Sequence, residues 1–303
     1  MNREQMASTW QFDLLVQIGA PVTERPPKRR RLYAVIPVGG VFGMVATACI
    51  VLVALFGPAI VGTDPAQQDL PARLSAPVGF GGSLDHPLGT DALGRDLLAR
   101  VVAGARLSLL IGLFATLGAG TLGVVLGLVA GFGGGAGDRI VTWGTDVQLA
   151  VPFVIVAIAI TAVLGNGITN VVIALAVTGW VGYAKVVRLQ AKSLRTALWV
   201  DAARSLGASP IRIAVRHVLP NLAGPIVILA TQQVGGMILY EAALSYLGLG
   251  VGGNAVSWGG MVADGQEFVA TAWWVSAVPG AAIAITILAL NAAGDWLSAS
   301  NRS

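Results

Sequence analysis

Six long apolar segments constrain the fold of this chain more than any other feature. They run approximately over residues 32–56, 107–132, 140–164, 168–187, 218–247 and 273–297. A transmembrane helix needs about 20 predominantly apolar residues, and each segment is of that order. Because lipid offers the backbone no hydrogen-bonding partner, only helices and closed barrels cross it. The sequence therefore predicts an all-α integral membrane protein with six transmembrane helices.

Composition supports the same class of protein. The mean hydropathy is +0.76, and charged residues make up only 11% of the chain, less than half the share of about 25% in soluble domains. Glycine is abundant, with 40 residues, as in membrane helices that pack closely through small residues. Gly123, Gly127 and Gly131 recur at every fourth position of the second segment. This repeat predicts a helix-packing face.

The positive charges predict how the helices are oriented. Fifteen of the 19 Lys and Arg residues lie before the first segment, between the fourth and fifth, or elsewhere on that same side. The four on the other side are Arg73, Arg95, Arg100 and Arg106. Positive loops remain in the cytoplasm, so both termini should be cytoplasmic. The net charge of +4 thus reflects topology in a bacterial inner membrane, with the lipid bilayer and not nucleic acid as partner.

These signals divide the chain into segments. The predicted segments are a cytoplasmic tail (1–31), a first anchor helix (32–56), an extracytoplasmic loop (57–104), a core of five transmembrane helices (105–297) and a C-terminal tail (298–303). Within the extracytoplasmic loop, apolar residues at helical spacing predict an amphipathic helix over 91–102. The alternative is a solvated loop that carries a few charges.

A polar, basic segment at 191–217 separates the fourth apolar run from the fifth. Residues 194–206 suit a helix, and Gly207 can close it in a left-handed conformation. Ser209 is a good N-cap for a second helix that starts at Pro210. The basic residues on one face of that second helix are Arg212 and Arg216. The pattern predicts two short helices around one glycine. Such a compact helix-turn-helix offers a binding surface to a cytoplasmic partner.

This segment resembles the signature loop of permease subunits in ABC importers. The residues that match it in type and spacing are Asp201, Ala202, Ala203, Gly207, Leu219 and Pro220. Asp201 replaces the family's glutamate, and His217 occupies a position that is aliphatic in the family. The resemblance implies the type I ABC importer permease fold. It also implies an ATPase-coupling loop formed by Asp201, Ala202, Ala203, Gly207, Ser209, Pro210, Arg212, Leu219 and Pro220.

Further matches point to one branch of that family. They are the stretch from His86 to Asp96, the stretch from Glu241 to Gly250, and Asn291, Gly294 and Asp295. The similarity is to the second permease subunit of importers for dipeptides, oligopeptides and nickel. It implies import of peptides or related small solutes, with a homologous permease, two cytoplasmic ATPases and an extracytoplasmic solute-binding protein as partners. ATP and Mg would bind the ATPases, and this chain would bind no cofactor. A nickel or other small-solute importer is the alternative within the family.

The chain lacks the motifs of an enzyme that uses ATP itself. It contains no Gly-Lys pair, so the Walker A loop is absent. Two G-x-G-x-x-G matches, at 118–123 and 248–253, have no strand before them and predict no dinucleotide site. An ion-coupled secondary transporter would need buried carboxylates near the midplane. The deepest carboxylate here, Asp146, is only about two turns from the predicted cytoplasmic end.

Three glutamines lie within the apolar runs, namely Gln148, Gln232 and Gln233. Polar groups at membrane depth commonly line a water-filled path. They also hydrogen-bond between helices and hold a bundle together. The sequence leaves both interpretations open. It predicts neither catalytic residues nor a metal site.

Overall fold

The computed structural model describes residues 38–253 and 255–300, which form helices joined by turns and loops, with one isolated β-bridge. In chain order the helices are α1 (Val38–Val61), α2 (Leu97–Leu128), α3 (Gly135–Leu149), α4 (Phe153–Leu164), α5 (Ile168–Leu194), α6 (Leu198–Ser205), α7 (Pro210–Ile213), α8 (Leu219–Tyr246), α9 (Trp258–Gly265) and α10 (Trp274–Ser300). Among these residues, five helical stretches can cross a membrane, or six if the bent pair α3–α4 is one span. The predicted all-α membrane architecture is confirmed. The predicted tail at 1–31 lies outside the described residues.

The third span, predicted as one transmembrane helix over 140–164, is divided in two. It consists of α3 and α4, whose axes differ by 92° across a short break. Pro152 is the N-cap residue of α4. A proline donates no backbone hydrogen bond, and it also disfavours helical geometry at the preceding residue, here Val151. The chain therefore leaves one helix before this position and starts another after it.

The prediction of a separate amphipathic helix over 91–102 is also wrong. The Asp96 carboxylate accepts a hydrogen bond from the backbone N–H of Ala99 at 2.8 Å, which makes it the N-cap of α2. Helix α2 therefore begins at Leu97, and the second half of the predicted element is its first turns. Asp91 accepts two backbone N–H groups of the chain that follows it, at 2.9 Å each, and folds that chain into a turn. The polar half of the pattern is a capping turn.

The glycine repeat packs α2, and the π turn Val129–Gly133 that continues it, directly against α5. A methyl group on Gly123 would lie 2.4 Å from the backbone oxygen of Trp180, and one on Gly131 would lie 2.4 Å from that of Arg188. Gly127 faces α5 in the same way, with the backbone oxygen of Ala184 at 2.8 Å from such a methyl group. The predicted helix-packing face is confirmed. It allows two spans to approach backbone to backbone.

The helices define two ends of the bundle. The signature end carries the segment between α5 and α8, and the loop end carries residues 62–96 and 247–273. At the loop end the long first loop is fastened to the segment before α10. The Arg95 guanidinium lies 3.6 Å from the Asp264 carboxylate, and Trp274 Nε1 donates to the backbone oxygen of Thr90 at 3.3 Å. Which end faces the cytoplasm stays a prediction from charge.

Glu241, in one of the sequence stretches that match the branch, has a structural position at the loop end. Its side chain is fully buried in α8. Its Oε1 atom accepts hydrogen bonds from the hydroxyls of Ser245 at 2.8 Å and Ser257 at 2.9 Å. Ser257 is also the N-cap of α9, since its hydroxyl accepts from Gly260 N at 3.1 Å. The carboxyl group therefore joins α8 to the start of α9.

Candidate functional site

The signature segment is a helix–turn–helix closed by hydrogen bonds of its own backbone. Gly207 has φ of +81° and follows the last residues of α6. The N–H of Ala208 donates to the oxygen of Ala203 at 3.0 Å, and the N–H of Gly207 donates to the oxygen of Arg204 at 2.9 Å. These two bonds are the Schellman pattern that ends a helix at a left-handed glycine. The predicted positive φ of Gly207 is confirmed.

The second helix of the segment begins as the sequence indicates. The Ser209 hydroxyl accepts from the backbone N–H of Arg212 at 3.3 Å, and Pro210 is the first helical residue. This confirms the predicted N-cap. The first helix is shorter than the predicted 194–206, because α5 ends at Leu194 and α6 begins only at Leu198. A turn of three residues separates them.

Buried apolar residues fix the segment to the bundle. Val200, Ile213 and Val218 have no exposed surface. They pack in one cluster with Phe132, in the π turn that follows α2, and Val187 of α5. Burial of an aliphatic side chain contributes about 1.5–3 kcal/mol. The base of the segment is thus held against two spans, which suits it to passing on a movement.

The opposite side of the segment presents apolar groups to the surroundings. Leu198 and Leu206 are each 88% exposed, and Ile211 is 78% exposed. Asp201 of the same segment is also exposed, and its carboxylate lies 3.2 Å from the Arg204 guanidinium. Large exposed apolar side chains in a polar segment are typical of a surface that binds another protein. Of the other residues in the predicted coupling loop, Ala202, Arg212 and Pro220 are exposed, while Ala203 and Leu219 are half-buried.

The second half of the segment is continuous with the fifth span. Helix α7 passes through a π turn at Ala214–Val218 into α8 without interruption. One helix of 37 residues, Pro210–Tyr246, therefore runs from the signature end to the loop end. The expectation of two short helices around a glycine is wrong for the second one, because α7 continues through the π turn into α8 even though Pro220 and Pro225 follow. At about 1.5 Å per residue, Ser209 and Gln233 are about 36 Å apart along its axis.

The three glutamines predicted to line a path share one groove. Gln148, Gln232 and Gln233 lie on the wall of a cavity of about 480 Å³ between α3, α5 and α8. Gln148 is held firmly there: its amide nitrogen donates to the oxygen of Thr178 at 2.5 Å, and its oxygen accepts from Trp180 Nε1 at 2.7 Å. Gln148 thus joins α3 to α5 through hydrogen bonds and also lines the groove. Its place on a translocation path stays a prediction.

The other two glutamines differ in their surroundings. The amide nitrogen of Gln232 lies 3.3 Å from the Asp295 carboxylate of α10. Gln233 is half-buried beside Gly179 of α5, where an added methyl group would lie 3.4 Å from its Nε2 atom. Two helices therefore bring amide groups to the same opening, α3 from one side and α8 from the other.

Sequence reasoning missed three residues of the groove. Tyr240 and Phe153 stack with ring centroids 4.1 Å apart, and Lys185 lies 3.8 Å from the Asp146 carboxylate. Tyr240 follows Gln233 by seven residues, which places both on one face of a helix. That spacing was a signal in the sequence. Nothing in the sequence indicated that Lys185 or Phe153 would lie opposite.

Comparison with known proteins gives the family. The model of the binding-protein-dependent transport system inner membrane component matches residues 123–300, which include the signature segment and the groove. A second model, the N-terminal TM domain of oligopeptide transport permease C, matches residues 39–77. The chain belongs to this family of ABC importer permeases. This permease is therefore a transport subunit and a multi-pass component of a bacterial inner membrane, as predicted.

Individual relatives agree with the family models. The Di/tripeptide transport system permease protein DppC of Pseudomonas aeruginosa is 39% identical over 86% of each chain. A putative peptide transport system permease of Brucella suis is 37% identical over 97% of this permease and 95% of its relative. The oligopeptide permease OppC of Bacillus subtilis is 36% identical over 84% and 82%. The resemblance stated from the signature residues is confirmed.

Proposed function

We propose that this permease is one of two membrane subunits of an ATP-driven importer of di- or oligopeptides. A solute-binding protein would deliver the peptide at the loop end. Two ATPase subunits, which carry ATP and Mg, would bind the signature end in the cytoplasm. The distribution of positive charge supports that orientation. The similarity to a di/tripeptide permease and an oligopeptide permease supports the substrate class.

The observation that carries the proposal is the continuous helix Pro210–Tyr246. One end lies in the segment with the exposed apolar surface, and its middle supplies Gln232 and Gln233 to the groove. A push on the signature segment is therefore transmitted to groove-lining residues about 36 Å away along one continuous helix, which includes the π turn and Pro225. Alternating access needs such a mechanical link between the site of ATP closure and the path.

The groove suits a peptide more than an ion. Glutamine amides donate and accept hydrogen bonds in the same way as the peptide group. The stacked rings of Phe153 and Tyr240 add an apolar surface for side chains. These contacts carry no strong preference for one peptide sequence. Selection among peptides would then rest with the binding protein.

Reconstitution tests the proposal. The permease, its partner permease, the two ATPases and the binding protein are placed in proteoliposomes with a labelled dipeptide. Uptake is expected only with ATP and the binding protein, and omission of this permease should remove it. Uptake driven by a proton or sodium gradient without the ATPases would contradict the proposal and favour a secondary transporter.

The purified permease alone should hydrolyse no ATP above the background of empty detergent micelles. The reason is the absence of a Walker A loop from its sequence. Phosphate release is the measurement, with the assembled importer as the positive control. Turnover by the isolated permease at the rate of the assembly would refute the assignment of hydrolysis to partner subunits.

Cysteines placed at Gln232 and Gln233 should react with hydrophilic, membrane-impermeant thiol reagents. The background is Cys49→Ala, which removes the only native cysteine. Labelling rates should change severalfold when ATP is trapped with vanadate, because the groove opens to a different side. Leu288→Cys is the matched control: it is 69% exposed on α10 and should stay unreactive in both states if it faces lipid. Equal protection at all three positions would favour helix packing over a path.

A further inference from the structure

An exposed aromatic pair lies at the loop end, away from the signature segment and the groove. Phe80 of the first loop is 65% exposed, and Trp273, just before α10, is 44% exposed. Their rings meet edge to face with centroids 5.2 Å apart. Two nearby positions in sequence are also apolar and exposed, Leu84 at 82% and Val269 at 55%. We refer to the aromatic pair and these two neighbouring positions together as the rim patch. Exposing apolar surface to water costs about 25 cal/mol per Å², so such a patch calls for a partner.

The loop that carries Phe80 is held in place by the start of α10. Trp274 is 8% exposed, and its Nε1 donates to Thr90 at the end of this loop. A methyl group on Gly89 would lie 3.0 Å from the Trp274 ring, so the loop backbone packs directly on that side chain. At the other end of the loop, the N–H of Leu74 donates to the oxygen of Asp91 at 3.0 Å. Phe80 is thus displayed by a closed and anchored loop.

The rim patch lies at the end of a membrane-spanning surface. Trp273 immediately precedes α10, which is one of the candidate spans. The side of α10 that continues from Trp273 is apolar and exposed for about four turns. Its residues are Ala277, Ala281, Ala284, Ile285 and Leu288. Trp273, and through it Phe80, therefore lies where the apolar surface of the span ends. Aromatic side chains favour that level, the boundary between lipid headgroups and acyl chains.

We propose that the rim patch is an interfacial anchor that inserts Phe80, Leu84 and Trp273 into the lipid surface at the loop end. The occupant is the bilayer, because the patch continues the exposed apolar surface of α10. The anchor would fix the height of the first loop above the membrane. That loop carries Asp91, whose carboxylate lies 2.6 Å from Arg95 and 3.5 Å from Arg100. The anchor would therefore also set the position of this charge cluster.

Nitroxide labels on single cysteines test the anchor. Phe80→Cys and Leu84→Cys, each in the Cys49→Ala background, are labelled in the assembled importer in vesicles of phosphatidylethanolamine and phosphatidylglycerol. Gln67→Cys is the control, since it is an exposed polar residue of the same loop. Power saturation compares collisions with oxygen, which concentrates in lipid, and with a water-soluble nickel chelate. We expect the oxygen-to-nickel collision ratio at both patch positions to exceed that at Gln67 severalfold.

Two other results would overturn the proposal. A ratio equal to that at Gln67 would place the patch in water. Collision rates that are low for both reagents would show that a protein, such as the second permease or the binding protein, covers it. The experiment does not depend on which solute is imported, so its failure leaves the proposed function untouched.

Discussion

Gly207→Val is expected to reduce ATP-dependent uptake to background while the permease still inserts and assembles with the partner permease. Gly207 has φ of +81°, a conformation that costs an L-residue about 1–2 kcal/mol and a β-branched one more. A Cβ atom there would meet no other atom within 4 Å. The effect therefore acts through the backbone alone. Relief of the strain would open the Schellman turn and move α6, with Leu206, away from its binding position.

Two variants separate this effect from general damage. Gly207→Asn should retain most uptake, because asparagine tolerates the left-handed conformation. Gly62→Val imposes the same kind of strain at the loop end, where φ is +67° and no atom lies within 4 Å of the added Cβ. It should leave uptake near the wild-type rate. Uptake, ATP hydrolysis and co-purification of the ATPases are the measurements. Full uptake by Gly207→Val at normal expression would show that this turn does not couple.

Asp201→Lys should also reduce ATP-dependent uptake to background, because it weakens binding of the ATPases. Its partner Arg204 is itself exposed, and exposed ion pairs contribute only about 0.2–1 kcal/mol, so folding should survive. The variant would place two cations together on the surface that we propose for the ATPases. Like charges across an interface lower the association rate and select against the partner. Arg212→Ala, which removes one exposed cation of the same segment, is the milder control. Normal binding of the ATPases by Asp201→Lys would exclude this carboxylate from the interface.

A large loss of stability is expected from substitutions at the glycine face between α2 and α5. Gly123→Ala would place its methyl group 2.4 Å from the oxygen of Trp180 and 2.5 Å from Tyr183 Cβ. A backbone atom cannot swing aside, so the two spans must separate. Overpacking of a core costs about 1–3 kcal/mol, and the larger Gly123→Leu should prevent folding. Thermal unfolding in detergent, followed by size exclusion, is the measurement.

The matched control for the glycine face lies on α10. Gly280→Ala makes the same change at a helical glycine whose added Cβ meets nothing within 4 Å. Alanine is favoured over glycine in a helix by about 1 kcal/mol, so this variant should be as stable as the wild type or more so. Equal stability of Gly123→Ala and Gly280→Ala would mean that α2 and α5 do not pack as closely as described.

The elements that were predicted correctly from the sequence depend on interactions among residues close together in the chain. Apolar runs of membrane length form spans, and the glycine repeat forms a packing face. Gly207, which has no Cβ, ends one helix in a left-handed conformation, and the Ser209 hydroxyl caps the next. The errors arose where two local signals compete. A proline such as Pro152 can kink a span slightly or break it. The bend of 92° is determined by packing against the other helices and could not be predicted from the sequence. Asp96 can lie within an amphipathic helix or cap the start of one, and in the structure it is the N-cap of α2.

The groove shows the limit of sequence reasoning most clearly. Gln148, Gln232 and Gln233 stood out because amides are rare in apolar runs. Their convergence could not be predicted, since α3 and α8 are separated by more than 60 residues of chain. Lys185 and Phe153 were missed for the same reason, because each has an ordinary sequence context. The continuity of α7 with α8 was missed because the pattern around Gly207 resembled a closed helical pair.

The most direct test of the central claim measures labelling of Gln233→Cys with and without trapped ATP, first with Gly207 and then with Gly207→Val. The groove and the signature segment are joined by one helix, so ATP should change the labelling rate severalfold when Gly207 is present. The change should vanish in Gly207→Val, although the cysteine itself stays accessible. An ATP-dependent change of the same size in both backgrounds would contradict the role of the signature segment as the link between ATPases and groove.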